Sequence, residues 1–215
     1  GIVARADSDD ISEPDRFATL IPALIESDCA VMGSAMYEVD AQNTTVEATR
    51  QTVTDASRLA DMMPSRNPLY HPTVAFYKDV VQRLGGYEYV PGAEDWWLWS
   101  RVIAAGYQIG NVPEPLVRYR VGAGAYTRRG GLNAWKQDWA IQRRLYTGHA
   151  ISKLGWIKNM SVRTAYRFIP ESTRRKAFRA LTDIRPSRNV EGRISGELSH
   201  DSTDCGGGSP TPLHP

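Results

Sequence analysis

The chain has 215 residues, 41% of them hydrophobic, and a formal net charge of +2 at pH 7. This length and composition predict a globular protein with one sizeable core. No apolar run approaches the ~20 residues that cross a bilayer, so we expect neither a transmembrane helix nor a signal peptide. The sequence opens inside an apolar segment, Gly1-Ile2-Val3, without an initiator Met, and we expect it to be part of a longer protein.

The first predicted strand, residues 2–6, leads into an acidic cluster, Asp7-Ser8-Asp9-Asp10. Carboxylates so close together repel one another and are costly to hold beside a low-dielectric wall without a counter-charge. A divalent cation that carries a phosphorylated ligand would supply that charge. The alternative is an acidic turn that caps the next helix, and for Asp10 a cap or a supporting position is favoured over a ligand.

Proline and glycine set the limits of the next elements. Pro14 fits the first turn of a helix, and Gly85-Gly86 is a typical helix end. The elements predicted in this part are a helix over 14–27, a strand over 29–39, a helix over 53–63, a strand over 71–77 and a short helix over 79–84.

The most regular helix is predicted over residues 94–105. It begins with the acidic pair Glu94-Asp95, and Gly106 lies just beyond its end, which suits the dipole and the termination of a helix. Asp95 lies one turn before Trp99 on the same side. This pair is a candidate proton acceptor, and ordinary first-turn acids are the alternative.

Two strands, a basic loop and further helices complete the chain. The elements are strands over 107–112 and 116–121, a loop over 122–131, a helix over 132–146 and two helical pieces that meet at Pro170. From residue 186 the composition is polar and rich in Gly and Pro, which predicts disorder. We therefore divide the chain into a catalytic part at 1–148, a basic helical extension at 149–185 and a tail at 186–215.

The mixture of strands and helices predicts an α/β fold. Both acidic motifs follow a strand or open a helix, which is where open α/β sheets bind ligands. Sugar transfer from a nucleotide-sugar would use one acidic group to bind a metal ion and another to accept a proton.

Several segments, in the same order and spacing, resemble family 2 glycosyltransferases. They are the acidic segment 4–17, His71-Pro72-Thr73, Gly85-Gly86-Tyr87, the segment 94–101, Gly106-Tyr107 and the segment 113–120. The loop 126–131 resembles a subset that builds bacterial exopolysaccharides and capsules, the amylovoran-type transferases. The resemblance covers about residues 1–182.

This resemblance implies a GT-A (Rossmann-like) fold, here truncated at its N-terminus, a nucleotide-sugar donor that is most often a UDP-sugar, and inversion at the anomeric carbon. It also implies Mg²⁺ or Mn²⁺ as the cofactor. Asp7 and Asp9 would be the acid pair at the metal ion and at the donor's ribose and diphosphate, and Asp95 would be the catalytic base. The family's opening strands, which grip the uracil, would precede Gly1. Val121-Gly122 stands where many relatives carry a metal-binding His.

Other residues are candidates for the acceptor side and for the diphosphate. The acceptor-side candidates are Glu94, Trp97, Arg101 and His71, and the candidates for a diphosphate clamp on a closing loop are Arg128 and Arg129. Each has a plainer alternative. These are a first-turn acid for Glu94, core packing for Trp97, a surface salt bridge for Arg101, a packed histidine for His71 and a solvated basic turn for Arg128 and Arg129. The three tryptophans of the 94–105 helix could form a sugar-stacking platform, although core packing is favoured for at least two of them.

Residues 149–193 hold 11 Lys and Arg against 3 Asp and Glu. Such a basic, partly apolar helical segment could lie on an anionic leaflet, could pack back on the catalytic part, or could bind nucleic acid. We favour the leaflet, because it suits a lipid-linked acceptor, and expect no nucleic acid, because no groove-reading motif is present.

The sequence therefore predicts a hexosyltransferase of bacterial cell-surface polysaccharide biosynthesis, peripheral at the cytoplasmic face of the plasma membrane. Its donor would be a UDP-hexose or a similar nucleotide-sugar, and its acceptor a lipid-linked or growing polysaccharide. The alternative is a non-catalytic remnant that binds carbohydrate or membrane.

Overall fold

The computed structural model describes residues 1–121, 130–170, 172–173 and 184–186. Its strands are β1 (Ile2–Ala4), β2 (Ile11–Ser12), β3 (Cys29–Val39), β4 (Val46–Arg50), β5 (Ala75–Tyr77), β6 (Gln108–Arg120) and β7 (Ile184–Pro186). Its helices are α1 (Arg16–Glu26), α2 (Ala56–Met62), α3 (Lys78–Arg83), α4 (Glu94–Ala104), α5 (Gly131–Thr147) and α6 (Lys153–Phe168), with a 3-10 turn at His71–Thr73. The predicted α/β class is confirmed.

Strand β3 is the centre of a mixed seven-stranded sheet. It runs parallel to β6 on one side, while on the other side β5 pairs with its first half and β4 with its second half, both antiparallel. Strand β1 extends the β5 side and β2 extends the β6 side. The acidic loop between β1 and β2 therefore crosses from one side of the sheet to the other.

The apolar residues form two buried clusters. The larger one lies around α4 and contains its three tryptophans together with β3 and β6 residues such as Val31 and Ile109. The smaller one joins Leu20 and Leu24 of α1 to the sheet. Helix α4 is thus anchored along its length, which holds the residues of its first turn in place.

The structure differs from the predicted elements in four places. The segment between the predicted strand over 29–39 and the predicted helix over 53–63, to which no element is assigned from sequence, contains strand β4, because its alternation buries Ala48 and Arg50 against the sheet. The two strands predicted around residues 107–121 are one strand, β6, whose register to β3 shifts next to Pro115, a position that tolerates proline in a strand. His71 begins a 3-10 turn and not a strand, and Arg16 rather than Pro14 begins α1.

Helix α6 packs on the rest of the described chain through one face. Asn159 donates to the Pro64 carbonyl at 2.7 Å, and Arg163 donates to the Ser65 carbonyl at 2.6 Å. Arg167 and Arg163 both bind the buried carboxylate of Asp138 on α5. One face of the basic segment therefore packs on the rest of the chain, which is one of the three predicted alternatives. In the part of the chain that the structure describes, no helix is long and apolar enough to span a bilayer.

Candidate active site

The three carboxylates of the acidic loop lie in three different environments. The Oδ1 atom of Asp7 is 2.8 Å from the Nε of Arg5, and Asp9 is exposed. Asp10 points inward, where its Oδ1 accepts a hydrogen bond of 3.2 Å from the Arg120 backbone N–H. The loop thus offers one open carboxylate, one held by an arginine and one half-buried.

Asp10 is not a helix cap. The residue that precedes α1 is Asp15, and no side chain caps that helix. Burial raises the pKa of Asp10 to about 6, and the nearby charges of Asp9 and Asp7 add to this rise, while the hydrogen bond from Arg120 opposes it. Its second oxygen, Oδ2, is buried and has no hydrogen-bond partner in the described structure. The helix-capping alternative for the acidic cluster is therefore wrong.

A buried arginine, which the sequence analysis missed, connects this loop to the rest of the site. Arg16 is 1% exposed and donates to the Arg5 carbonyl at 2.6 Å and to the Pro72 carbonyl at 2.9 Å. Burial lowers the pKa of its guanidinium, while the charges of Asp10 and Asp7 favour its charged form. An arginine in the first turn of a helix resembles any surface residue in sequence, so no local signal pointed to it.

Asp95 is the second residue of α4, and its side chain is only 13% exposed. Asn67 donates to its Oδ2 at 2.6 Å. Burial raises the pKa of Asp95 to about 6 and Glu94 adds to the rise, whereas hydrogen bonds from the Trp96 N–H and from Asn67 lower it. Burial therefore outweighs the stabilisation that a helix N-terminus gives to a carboxylate. A carboxylate with such a pKa is ionised at pH 7 and close to the optimum of a proton acceptor.

His71 and Tyr87 lie beside Asp95. The Nδ1 of His71 is 3.9 Å from the Oδ2 of Asp95, and its Nε2 is 3.0 Å from the Tyr87 hydroxyl. Burial lowers the pKa of His71 to about 4, and the charge of Arg5 contributes to this, so its ring is neutral at pH 7. Burial raises the pKa of Tyr87 to about 12. The contact between His71 and Asp95 is thus not an ion pair.

The fold brings the two acidic motifs to the same place. The ionisation of Tyr87 is influenced by Arg5 and Asp7 from the loop and by Glu94 and Asp95 from the helix. Arg16 adds a physical connection, because it binds the end of β1 and the turn that carries His71. Asp7 and Asp95 therefore both lie near enough to Tyr87 to influence it electrostatically.

Trp97 and Arg101 are occupied by contacts within the protein. Trp97 is 8% exposed, and its Nε1 donates to Glu88 at 3.1 Å. Arg101 donates to the Leu84 carbonyl at 2.6 Å, binds Glu88 at 3.0 Å and lies over the Trp97 ring. No hydrogen bond or ion pair joins Arg101 to Glu94 among the described residues. The other two tryptophans of α4 are also buried, so the structure favours core packing over a sugar-stacking platform.

The remaining predicted residues concern the donor. Arg128 and Arg129 lie outside the described residues. Among the residues that are described, no group of three or more His, Cys, Asp or Glu is placed to hold a metal ion by itself. Mg²⁺, however, is commonly held by one or two carboxylates together with substrate phosphates and waters. The exposed Asp9, with Asp7 beside it, fits that requirement, so these two residues are the ones that would hold a cation.

Comparison with known proteins identifies relatives, although no protein-family model matches the chain. An uncharacterized glycosyltransferase of Haemophilus influenzae is 32% identical over 181 residues, which are 83% of this chain and 67% of the relative. The amylovoran biosynthesis glycosyltransferase AmsE of Erwinia amylovora is 29% identical and matches 79% of this chain and 63% of its own length. A UDP-Gal:alpha-D-GlcNAc-diphosphoundecaprenol beta-1,3-galactosyltransferase of Escherichia coli is 30% identical, and the match covers 80% of this chain and 63% of that relative.

The chain spans about two thirds of the length of these relatives. Among solved structures, a mannosyltransferase of Pyrobaculum calidifontis in complex with GDP-Man and Mn²⁺ has a TM-score of 0.45 and 15% identity, and the match covers 85% of this chain and 49% of that one. Because that score is low, the assignment depends on the sequence relatives. The predicted resemblance to bacterial exopolysaccharide transferases is confirmed by them, and the chain belongs to the glycosyltransferases.

Proposed function

We propose that this protein transfers a hexose from a UDP-hexose or similar nucleotide-sugar to a lipid-linked or growing polysaccharide, with inversion and with Mg²⁺ or Mn²⁺. The observation that carries this proposal is the pairing of an open acidic loop with a buried carboxylate, Asp95, whose pKa is about 6. The Escherichia coli relative, a UDP-Gal:alpha-D-GlcNAc-diphosphoundecaprenol beta-1,3-galactosyltransferase, supports the choice of donor and of a lipid-linked acceptor.

Asp95 is the group that takes the proton. Inverting transfer forms a bond between the acceptor oxygen and the anomeric carbon while the bond from that carbon to the diphosphate breaks, and its electron pair leaves with the diphosphate. The hydroxyl proton passes to the Asp95 carboxylate, which Asn67 holds in place through Oδ2. Partial burial raises the basicity of that carboxylate, which favours proton transfer.

The acidic loop is the group that receives the donor. Asp9 and Asp7 would hold the divalent cation, which when bound neutralises charge on the leaving diphosphate. Arg5 orients the Asp7 carboxylate, and Arg16 holds the backbone of Arg5 in place. Arg128 and Arg129, which lie outside the described residues, are the side chains that would bind the diphosphate in this proposal.

We also propose that α6 lies on the cytoplasmic face of the plasma membrane. Its outer face carries Leu154, which is 76% exposed, together with Ile157 and Phe168. The exposed Lys153 and Lys158 lie on either side of these apolar residues. An apolar strip between lysines suits a helix in the interface of an anionic bilayer. Sedimentation with vesicles containing an anionic lipid tests this, and protein that stays in the supernatant at low salt would contradict it.

The test of transfer uses the whole protein with a labelled UDP-hexose and membrane extract as the source of acceptor. Label should move into the lipid-extractable fraction with Mn²⁺ and not after chelation. Asp9→Asn should reduce this transfer by at least about 10-fold, since it removes a ligand of the cation, whereas Asp15→Asn, an exposed acid nearby, should not. Absence of transfer with any nucleotide-sugar would favour the non-catalytic remnant.

A further inference from the structure

Two side chains beside the proposed base, His71 and Tyr87, take no part in the proton transfer described above. The imidazole of His71 lies between two oxygen atoms: its Nε2 is 3.0 Å from the Tyr87 hydroxyl, and its Nδ1 is 3.9 Å from the Oδ2 of Asp95. The side chains of His71 and Asp95 are only 14% and 13% exposed. The three side chains thus form a row in which the ring faces the carboxylate at more than hydrogen-bond distance.

Packing holds this row in place. The ring of Trp99, which is fully buried on α4, makes edge contacts with both neighbours, with centroid distances of 6.3 Å to His71 and 6.3 Å to Tyr87. The turn that carries the histidine is held by the bond of 2.9 Å that Arg16 donates to the Pro72 carbonyl. The position of the imidazole is therefore fixed, and the open question is which of its nitrogens carries the proton.

The surroundings of His71 keep its ring neutral. The charged groups that face it are Arg5, just after β1, and Glu94 and Asp95 at the start of α4. Burial lowers the pKa of His71 to about 4, and the charge of Arg5 acts in the same direction, whereas Glu94 opposes the shift. At pH 7 the ring therefore has one proton, on either Nδ1 or Nε2.

The phenol of Tyr87 also keeps its proton. Burial raises the pKa of Tyr87 to about 12, the charges of Asp95, Glu94 and Asp7 add to the rise, and that of Arg5 opposes it. A protonated phenol can donate one hydrogen bond and can also accept one. At pH 7 the row consists of a hydroxyl, a neutral imidazole and an ionised carboxylate.

The carboxylate favours one tautomer of the imidazole. When ionised, Asp95 can only accept hydrogen bonds, so it attracts a proton on Nδ1 of His71 and repels a lone pair there. Nε2 is then the unprotonated nitrogen, and it accepts from the Tyr87 hydroxyl at 3.0 Å. Among the described residues the ring makes no other hydrogen bond, so the tautomer depends on this bond.

We propose that Tyr87 and His71 are positioning residues of the transfer reaction, in which the Tyr87 hydroxyl donates to Nε2 and thereby keeps the Nδ1–H directed at Asp95. This inference rests on the proposed function, because it concerns the base of the same reaction. The N–H dipole stabilises the ionised carboxylate and does not neutralise it, as a charged imidazolium would. The proton of the acceptor hydroxyl still passes to Asp95 itself.

The tautomer is measured on the full chain by ¹⁵N NMR of the histidine rings, in which His71→Asn identifies the signals of His71. The wild type should show a protonated Nδ1 and an unprotonated Nε2 at pH 7. Tyr87→Phe should give a mixture of the two tautomers, whereas Tyr89→Phe, the same change at a residue that is 85% exposed, should not. A wild type protonated at Nε2, or a tautomer that Tyr87→Phe leaves unchanged, would overturn the proposal.

The effect on the base is measured as the pKa of Asp95, from the ¹³C shift of its carboxyl group. Tyr87→Phe should raise this pKa by about 0.5, and the acid limb of the pH–rate profile should move with it. His71→Asn keeps an N–H near the position of Nδ1 but loses the bond to the hydroxyl, so adding Tyr87→Phe to it should have no further effect. His71→Leu, which has no N–H, should raise the pKa. An equal effect of Tyr87→Phe in the wild type and in His71→Asn would refute the coupling through His71.

The NMR measurements do not require turnover, so they separate this inference from the proposed function. If the tautomer and the pKa of Asp95 change as expected but no variant or wild type transfers sugar, the proposed function alone fails. If transfer occurs and Tyr87→Phe leaves the tautomer and the acid limb unchanged, the positioning role alone fails. Thermal melting checks the fold of each variant, and His71→Leu provides a second test of the N–H should Tyr87→Phe be unstable.

Discussion

The acidic loop and the first turn of α4 carry the same functional group in opposite surroundings. In the loop, Asp9 is exposed and Asp7 is held by Arg5. In the helix, Asp95 is almost enclosed, and its pKa rises to about 6. An exposed carboxylate stays ionised and can meet a cation, whereas a buried one takes up a proton more readily. Burial, and not residue type, therefore distinguishes a carboxylate that suits a cation from one that suits a proton acceptor.

Position in the fold explains this difference. The loop crosses between the two sides of the sheet and is open to solvent at Asp9, while α4 is fixed by the buried Trp96 and Trp99. The first turn of α4 is consequently pressed against the turns that carry Asn67 and His71. Both the low solvent access of Asp95 and its hydrogen bond follow from that packing.

The largest effect is expected for the base. Asp95→Asn keeps the shape and the bond from Asn67 but removes the proton acceptor, so the rate of transfer should fall by about 10²–10⁴-fold. Steady-state transfer assays measure this. Glu94→Gln, the neighbouring acid on the same helix turn, should have a much smaller effect. An equal loss of rate in both variants would show that Asp95 is not the specific proton acceptor.

The next effect concerns stability. A rise in pKa from 3.8 to about 6 means that the fold prefers the protonated form of Asp95. Well below pH 3.8, Asp95 is protonated in both the folded and the unfolded protein, so its burial does not lower the free energy of unfolding there. The free energy of unfolding then falls as pH rises through 6, by about 3 kcal/mol in total.

Asp95→Asn should therefore unfold at a higher urea concentration than the wild type at pH 8, and the advantage should disappear near pH 4. Asp15→Asn should stay close to the wild type at both values, because its carboxylate is exposed and makes no capping hydrogen bond to α1. Urea unfolding followed by circular dichroism provides the measurement. If Asp95→Asn were less stable than the wild type at pH 8, the ionised Asp95 carboxylate would not be destabilising the folded protein, which would contradict the prediction.

The smallest effect is a shift in pH dependence. The Asn67 hydrogen bond favours the ionised form of Asp95 and so lowers its pKa. Asn67→Ala should move the acid limb of the pH–rate profile upward from about 6, with the plateau rate less affected. Rate profiles between pH 5 and 8 test this, and Asn67→Asp, which adds a charge, should move the limb further. An unmoved limb would mean that a group other than Asp95 controls it.

Much of the site could be predicted from local patterns. The acidic cluster, the Glu94-Asp95 pair at a helix start and His71 as a candidate residue were visible in the sequence, since each stands beside a proline, a glycine or a change in hydrophobic period, whereas the contact of His71 with Asp95 was not. Arg16 and Asn67 were not visible, because an arginine in a helix and an asparagine in a loop have no distinguishing neighbours. Their roles arise from contacts with Pro72 and Asp95, which lie far along the chain. Trp97 was misjudged as an acceptor candidate for the same reason, since only its contacts with Glu88 and Arg101 show that it packs inside.

The α/β class, the family and the chemical types available at the site could all be predicted from the sequence, because they depend on composition, order and short-range spacing. Which carboxylate is buried and which arginine is structural depend instead on tertiary packing. The pKa of a group depends on its distance from water and from other charges, and those distances are set by the packing of segments that are remote in sequence.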